Sequence, residues 1–241
     1  MKIGADIGGS NLRVALVNNG KILKYSHIKT PNNKSSFLNA IVSEIKKIDE
    51  SAVSGIGIGI PGPLKNGKLI NPPHIPLHNF NLEKYLKNIF KKKVALENDA
   101  NCVALAEARY GCKKKNFLII TFGTGIGGGI IINGKLYTGN GFAGEFGHIN
   151  HKGVSLESAW IKQRGKPRSH EIIKLIAQSI GSLINIFDPD IIIFTGGIDK
   201  RSEFLKDIRE SVSPYILSPR KVPIQFTQLK HAGILGASLL V

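Results

Sequence analysis

Two stretches of this 241-residue chain have residue types and spacing suited to binding phosphate. The first reads Asp6-Ile7-Gly8-Gly9-Ser10-Asn11, continues through the mainly apolar segment Leu12 to Val17, and turns at Asn19-Gly20-Lys21. The second reads Thr121-Phe122-Gly123-Thr124-Gly125-Ile126-Gly127-Gly128-Gly129, continues through Ile130-Ile131-Ile132, and turns at Asn133-Gly134-Lys135. In each copy a buried-type strand meets a turn of glycines and a hydroxyl residue, and an Asn-Gly turn reverses the next strand. Glycine brings backbone N–H groups close to an anion with no Cβ in the way. A pair of such loops therefore suits a polyphosphate held between two related halves.

These halves resemble the phosphate-1 and phosphate-2 loops of the actin-like sugar kinases, and in detail those of the ROK branch (repressor, open reading frame, kinase). Three more stretches carry the resemblance. Glu97-Asn98-Asp99-Ala100-Asn101 is similar to that family's catalytic segment, Ala143-Gly144-Glu145-Phe146-Gly147-His148 to its sugar-binding segment, and Phe194-Thr195-Gly196-Gly197 to its adenosine loop. They occur in the family's order and span nearly the whole chain, which is far more specific than one glycine-rich loop. The resemblance implies an α/β, actin-like (ribonuclease H-like) fold of two domains with a duplicated βββαβαβα core. It implies ATP-dependent phosphorylation of a hexose, glucose or a related sugar, at the 6-hydroxyl. An N-acylhexosamine such as N-acetylmannosamine or N-acetylglucosamine is the alternative acceptor.

Phosphoryl transfer to a sugar hydroxyl needs a base, stabilisation of the moving phosphoryl charge, and a metal that screens the nucleotide. Asp99 follows a strand and opens a helix, where exposed N–H groups favour a carboxylate and hold it rigidly. By resemblance it is the base for the 6-hydroxyl, although an Asp in this place can also serve only as a helix cap. Asp6 ends the first strand; the resemblance makes it organise the water shell of Mg²⁺, an ion that keeps several waters and takes few protein ligands. A turn-forming Asp is the structural alternative. Gly8, Gly9, Ser10 and Asn11 then serve the γ-phosphate side, and Gly123, Thr124, Gly125 and Gly127 the β-phosphate side. Gly196 and Gly197, after the apolar run Ile191 to Phe194, would let an adenine lie against backbone; a tight strand-to-helix turn is the competing reading. The sugar would meet Gly62, Asn98, Asp99, Glu145, His148 and Glu157, a mixture of donors and acceptors that a polyol requires.

The chain departs from the family just after His148. Most members continue into a cysteine-rich segment that joins this histidine on a structural zinc. Here Ile149-Asn150-His151-Lys152-Gly153-Val154-Ser155-Leu156-Glu157 is short and free of cysteine, so no zinc is expected. Glu157 still matches the Glu that closes the family motif and contacts the sugar near C1 or C2.

Composition restricts the remaining classes. With 33 Lys and Arg against 17 Asp and Glu the formal charge is +16, which attracts polyanions of any kind. The runs Lys91-Lys92-Lys93 and Lys113-Lys114-Lys115 lack interleaved aromatics that would stack bases, so they read as solvated loop charge and no nucleic-acid partner is expected. No apolar run approaches the ~18 residues of a membrane span, and the first strand begins almost at Met1 where a signal-peptide core would lie. The two cysteines, Cys102 and Cys112, build neither a disulfide framework nor a four-cysteine metal site. A cytoplasmic protein is expected, and the resemblance adds a homodimer and Mg²⁺ with ATP. A sugar-responsive regulator of the same family would carry a helix-turn-helix ahead of the first loop, which is not expected with that loop at residue 6. A catalytically dead sugar-binding module is disfavoured by the presence of Asp6, Asp99, Glu145 and both loops.

The elements that must carry these residues follow from periodicity. Strands are predicted at 2–7, 12–18 and 21–28, a helix at 35–48, and a strand at 54–60 ending at Pro61-Gly62-Pro63. After a Pro- and His-rich loop at 71–80 come a helix at 81–90, a strand at 93–97 and a helix at 99–110. The second half repeats the order with strands at 116–122, 127–133 and 135–138. It continues with helices at 155–164 and 169–187, a strand at 190–195, a helix at 202–213 and a strand at 222–227. The final helix, 232–241, returns to the first domain by resemblance. The expected domains are 1–112 plus 230–241, and 113–229, with crossings near 111–115 and 229–231.

Overall fold

The computed structural model describes residues 1–62, 64–65, 68–70, 72, 74–163, 168–198 and 201–241, with Lys65 as backbone only. Two compact units emerge, Met1–Cys112 with Leu229–Val241, and Lys113–Gln228.

The first unit begins with β1 (Lys2–Ile7), β2 (Asn11–Asn18), β3 (Lys21–Lys29), α1 (Lys34–Ile48) and β4 (Gly55–Ile60). A small hairpin, β5 (Leu64–Lys65) and β6 (Lys68–Leu69), precedes α2 (Leu82–Phe90), β7 (Lys93–Asn98) and α3 (Asp99–Tyr110). Its sheet runs β3-β2-β1-β4-β7, with β1, β2 and β3 antiparallel and β4 and β7 parallel to β1.

The second unit holds β8 (Phe117–Phe122), β9 (Ile126–Ile132), β10 (Lys135–Tyr137), a 3₁₀ turn at Phe146–His148, and a hairpin of β11 (Asn150–His151) and β12 (Val154–Ser155). Then come α4 (Leu156–Lys162), α5 (His170–Phe187), β13 (Ile191–Gly196), α6 (Arg201–Val212) and β14 (Ile224–Phe226). Its sheet, β10-β9-β8-β13-β14, repeats the first position by position, again with three antiparallel strands followed by two parallel ones. The duplicated βββαβαβα order read from the sequence is thus present, closed by α7 (Ala232–Ser238).

The residue pattern explains how these layers form. In β4, Gly-Ile-Gly-Ile-Gly-Ile sends Ile56, Ile58 and Ile60 into a core with Ile3, Phe37 and Ile41, because successive side chains leave a strand on opposite faces. The glycine face is what admits the last helix: a Cβ on Gly57 would lie 1.8 Å from the Ala237 carbonyl oxygen of α7. Helix α1 buries Phe37, Ile41, Ile45 and Ile48 at helical spacing, and Asn33 caps it by accepting from Ser36 N at 2.9 Å. The second core is aromatic, with the Phe122 ring tilted against Trp160 (5.2 Å) and edge-on to Phe194 (5.0 Å) and Phe204 (5.5 Å).

Differences from the predicted elements are local. The last helix is regular only over Ala232–Ser238 and not to 241. Pro63, at the predicted strand end, and Arg164, at the predicted end of the 155–164 helix, lie outside the described residues, as do Asn71 and Pro73 of the 71–80 loop. The hairpin pairings of β5 with β6 and of β11 with β12 were not anticipated, since two-residue strands carry no periodicity.

Candidate active site

Gly8, Gly9 and Ser10 turn β1 into β2. Gly8 N–H donates to the Asn11 carbonyl at 2.8 Å and closes the turn. Thr30, just past β3, grips this loop twice: its Oγ1 donates to the Gly8 carbonyl at 2.6 Å, and its N–H donates to the Ser10 carbonyl at 3.1 Å. The N–H groups of Gly9 and Ser10 take part in none of these bonds, and both residues are exposed. A Cβ on Gly9 would first meet His74 Cβ, at 2.6 Å.

Asp6, one residue before the end of β1, is partly buried and accepts from Arg13 Nη1 at 3.1 Å across the β1–β2 pair. Burial pushes its carboxyl above the usual carboxylate range, and Arg13 and His231 only partly offset that rise. The start of α7 abuts it, since a Cβ on Gly233 would lie 2.9 Å from Asp6 Cγ.

Asp99 is the first residue of α3, and the cap of that helix is its neighbour. Asn98 Oδ1 accepts from Ala100 N (2.9 Å) and Asn101 N (3.3 Å), so the capping role open to Asp99 in the sequence belongs to Asn98. Asp99 Oδ1 accepts from Ala100 N as well, at 2.9 Å, which fixes the carboxylate against the first turn. Glu97 braces the strand-to-helix corner, its Oε1 accepting from Asn98 N at 2.8 Å and from Asn101 Nδ2 at 3.0 Å. Burial of Cys102, with the carboxylates of Glu97, Asp99 and Asp6 around it, pushes that thiol well above its ordinary range. Gly62 follows β4 with φ 98°.

In the second unit Gly123, Thr124 and Gly125 turn β8 into β9. Gly123 N–H donates to the Gly125 carbonyl at 2.9 Å, and Trp160 Nε1 donates to the Gly123 carbonyl at 3.1 Å. Ile126 N donates to Glu157 Oε2 at 2.8 Å, and Gly127 N to Thr121 Oγ1 at 3.1 Å. Of the four residues read as the β-phosphate side, Gly123 and Gly127 therefore use their N–H groups within the protein. Thr124 and Gly125 do not, among the described residues. Glycine at 125 has a second reason beside the one read in the sequence: a Cβ there would lie 2.0 Å from Glu157 Oε2, so the missing side chain also makes room for a carboxylate of α4.

Glu145 precedes the 3₁₀ turn and His148 ends it; both are exposed, with Glu145 Oε2 4.0 Å from His148 Nε2. Glu157, in the first turn of α4, instead lies against the second loop through Ile126. The hairpin of β11 and β12 leads into α4, and Leu156 N closes back onto the Ile149 carbonyl at 2.9 Å. His151 Nε2 meets Ser179 Oγ of α5 at 2.7 Å. Among the described residues no group of three or more His, Cys, Asp or Glu side chains is placed to hold a metal ion. Gly196 has φ 123°, and a Cβ there would lie 1.8 Å from the Phe122 carbonyl; at Gly197 that space is open. Close packing of β13 on β8 thus accounts for Gly196, while no such packing restricts Gly197.

The sequence motifs do not mark Thr30, Trp160 or Arg13, each of which acts on backbone or on a neighbouring charge and belongs to no spacing pattern; Glu97 stands in the catalytic segment, but its bracing role does not show there.

The ROK family model matches residues 2–167 and 161–241. The glucokinase of Thermotoga maritima is 30% identical over 306 aligned positions, covering 99% of this chain and 96% of that protein. The N-acetyl-D-glucosamine kinase of Haemophilus influenzae is 28% identical, covering 100% and 99%. The crystal structure of a ROK family glucokinase from Streptomyces griseus in complex with glucose and AMPPNP superposes with a TM-score of 0.84 at 26% identity, covering 100% of this chain and 98% of that one. An alignment of 306 positions on a chain of 241 residues leaves at least 65 positions without a counterpart here, so the family architecture is retained in a shortened form.

Proposed function

The chain belongs to the ROK family, and on that premise we propose that it is an ATP-dependent sugar kinase transferring phosphate to the 6-hydroxyl of glucose or a related hexose. The observation that carries this reading is the repeated phosphate loop. At the same position of two equivalent sheets, a glycine turn leaves two successive N–H groups without an internal partner among the described residues, the arrangement that binds a phosphate oxygen. The kinship with an N-acetyl-D-glucosamine kinase supports N-acylhexosamines as the second acceptor class.

In this reading Asp99 takes the proton of the 6-hydroxyl as its oxygen bonds to the terminal phosphorus and the bond from that phosphorus to the bridging oxygen of ADP breaks. Gly9 and Ser10 N–H stabilise the transferring group, and Thr124 and Gly125 N–H the β-phosphate. Gly8, Asn11, Gly123 and Gly127 shape the loops, and Gly196 and Gly197 form the floor for adenine. Gly62, Asn98, Glu145, His148 and Glu157 hold the sugar hydroxyls. A single, partly buried carboxylate suits an ion that keeps most of its water, so Asp6 would hold Mg²⁺ through its shell, and Mg²⁺ would screen the nucleotide charge. No structural zinc enters this account.

We read the two compact units as the two domains of the fold. The assembly we infer is a cytoplasmic homodimer without a nucleic-acid or membrane partner. Both cysteines are free thiols, and among the described residues no helix is long and apolar enough to cross a membrane.

The test is a panel of glucose, mannose, N-acetylglucosamine and N-acetylmannosamine against ATP and inorganic polyphosphate, with ADP release measured and the product position assigned by NMR. A 6-phosphorylated sugar formed from ATP is expected. Absence of transfer to every sugar overturns the reading.

A further inference from the structure

Both phosphate loops are held by the same device, built from unrelated residues. In each, the N–H of the first glycine closes the turn, to Asn11 O in one and Gly125 O in the other. In each, the carbonyl of that glycine accepts from a side chain outside the loop, Thr30 Oγ1 on Gly8 and Trp160 Nε1 on Gly123. Among the described residues, the next two N–H groups have no internal partner in either loop.

We infer that Thr30 and Trp160 are paired positioning residues that aim the phosphate-binding N–H groups of the two loops, an inference that rests on the nucleotide-binding part of the proposed function. The physical reason lies in the peptide plane. The carbonyl of Gly8 and the N–H of Gly9 belong to one planar trans peptide and point in opposite directions, as do the carbonyl of Gly123 and the N–H of Thr124. Holding the carbonyl on a donor therefore directs the following N–H the other way. Glycine tolerates the flipped peptide almost as well, and a flip would turn a carbonyl oxygen, not a donor, toward the anion. A donor on the carbonyl opposes that flip.

The ties differ in strength. Thr30 adds a second bond from its own N–H to Ser10 O, while Trp160 is 4% exposed, packs at a tilt against Phe122, and commits its only side-chain donor to Gly123. Glu157, on the same helix as Trp160, fixes the far end of the second loop through Ile126.

The experiment is calorimetric titration of Mg²⁺–AMPPNP into the full chain and its variants Thr30→Val, Thr30→Ser and Trp160→Phe, followed by steady-state kinetics with ATP and with sugar varied separately. Valine keeps the shape of threonine and loses the hydroxyl; phenylalanine keeps an aromatic ring on Phe122 and loses the N–H. Thr30→Val and Trp160→Phe should each weaken nucleotide binding by about 5- to 50-fold, the loss expected for one hydrogen bond to a constrained group. Thr30→Ser should bind within about threefold of the unmodified protein, and KM for the sugar should stay within about twofold throughout. A residue with a merely structural role would lower the melting temperature without this split between the two KM values or this rescue by serine. If Trp160→Phe does not fold, Thr30→Val decides alone. Nucleotide affinity within about twofold of the unmodified protein in the folded variants overturns the inference. Since the titration needs neither sugar nor turnover, AMPPNP binding without transfer to any sugar would refute the kinase reading and leave this inference to its own result.

Discussion

Asp99 combines two properties at its helix start. It sits where the backbone dipoles favour a carboxylate, yet the helix is already capped by Asn98. Replacing its charge should therefore cost little stability. Asp99→Asn is expected to lower kcat by roughly 10²–10⁴-fold while the melting temperature and the Kd for Mg²⁺–AMPPNP stay near those of the unmodified protein. Thermal melts and titration beside the kinetic assay check this, and turnover within tenfold of normal would remove Asp99 from the base role. The sequence made Asp99 visible because it stands in a motif, and made the loops visible because glycine marks them. It did not reveal that Gly125 is small also for the sake of Glu157, since Glu157 is 31 residues from Ile126 and nothing local links them. Nor could it show the ties from Thr30 and Trp160, because a donor to a backbone carbonyl imposes no residue type on its partner.

At the scale of elements, strands and long helices were readable to within one or two residues wherever a 2.0 or 3.6 period ran long enough, as in β1, β4, α1 and α5. The short hairpin of β11 and β12 was not, although it occupies the stretch where the resemblance places a metal in most relatives. Its anchor is the contact of His151 Nε2 with the buried Ser179 Oγ. Ser179 Oγ also donates to the Leu175 carbonyl at 2.9 Å, so it accepts from a protonated Nε2. Burial lowers the His151 pKa below its ordinary 6.5. A base whose pKa is lower folded than unfolded leaves the fold intact above the unfolded value, and destabilises it as pH falls from there through the folded value. The melting temperature should accordingly drop on acidification below about pH 6.5, and His151→Gln, which cannot be protonated, should show a shallower drop over the same interval. NMR titration of the His151 ring should give a midpoint below 6.5. A midpoint above that value, or identical pH profiles for the two proteins, would exclude His151 as the sensitive group.

At the scale of the whole molecule, the chain makes two cores and closes the first one last. Residues 2 to 98 supply the strands of the first sheet, but Ala232, Ile234 and Leu235 of α7 complete a cluster there with Ala15, Val17 and Ala106. That return could be named from family likeness, yet no periodicity announces it; the six-residue glycine–isoleucine alternation of β4, which leaves a face flat enough for a helix backbone, is its physical trace in the sequence. The second core is aromatic and contains the only tryptophan of the chain, Trp160. Tryptophan emission therefore follows the second unit alone, while far-UV circular dichroism follows both. Ile234 is fully buried, and Ile234→Ala leaves a cavity under α7 that should destabilise the first unit by about 2–5 kcal/mol. In urea, the dichroism transition of this variant should begin at lower denaturant while the tryptophan transition moves much less, so that two probes which measure one chain no longer coincide. If both transitions instead shift together by the same amount, the two cores unfold as a single cooperative body and the separate-core account is wrong.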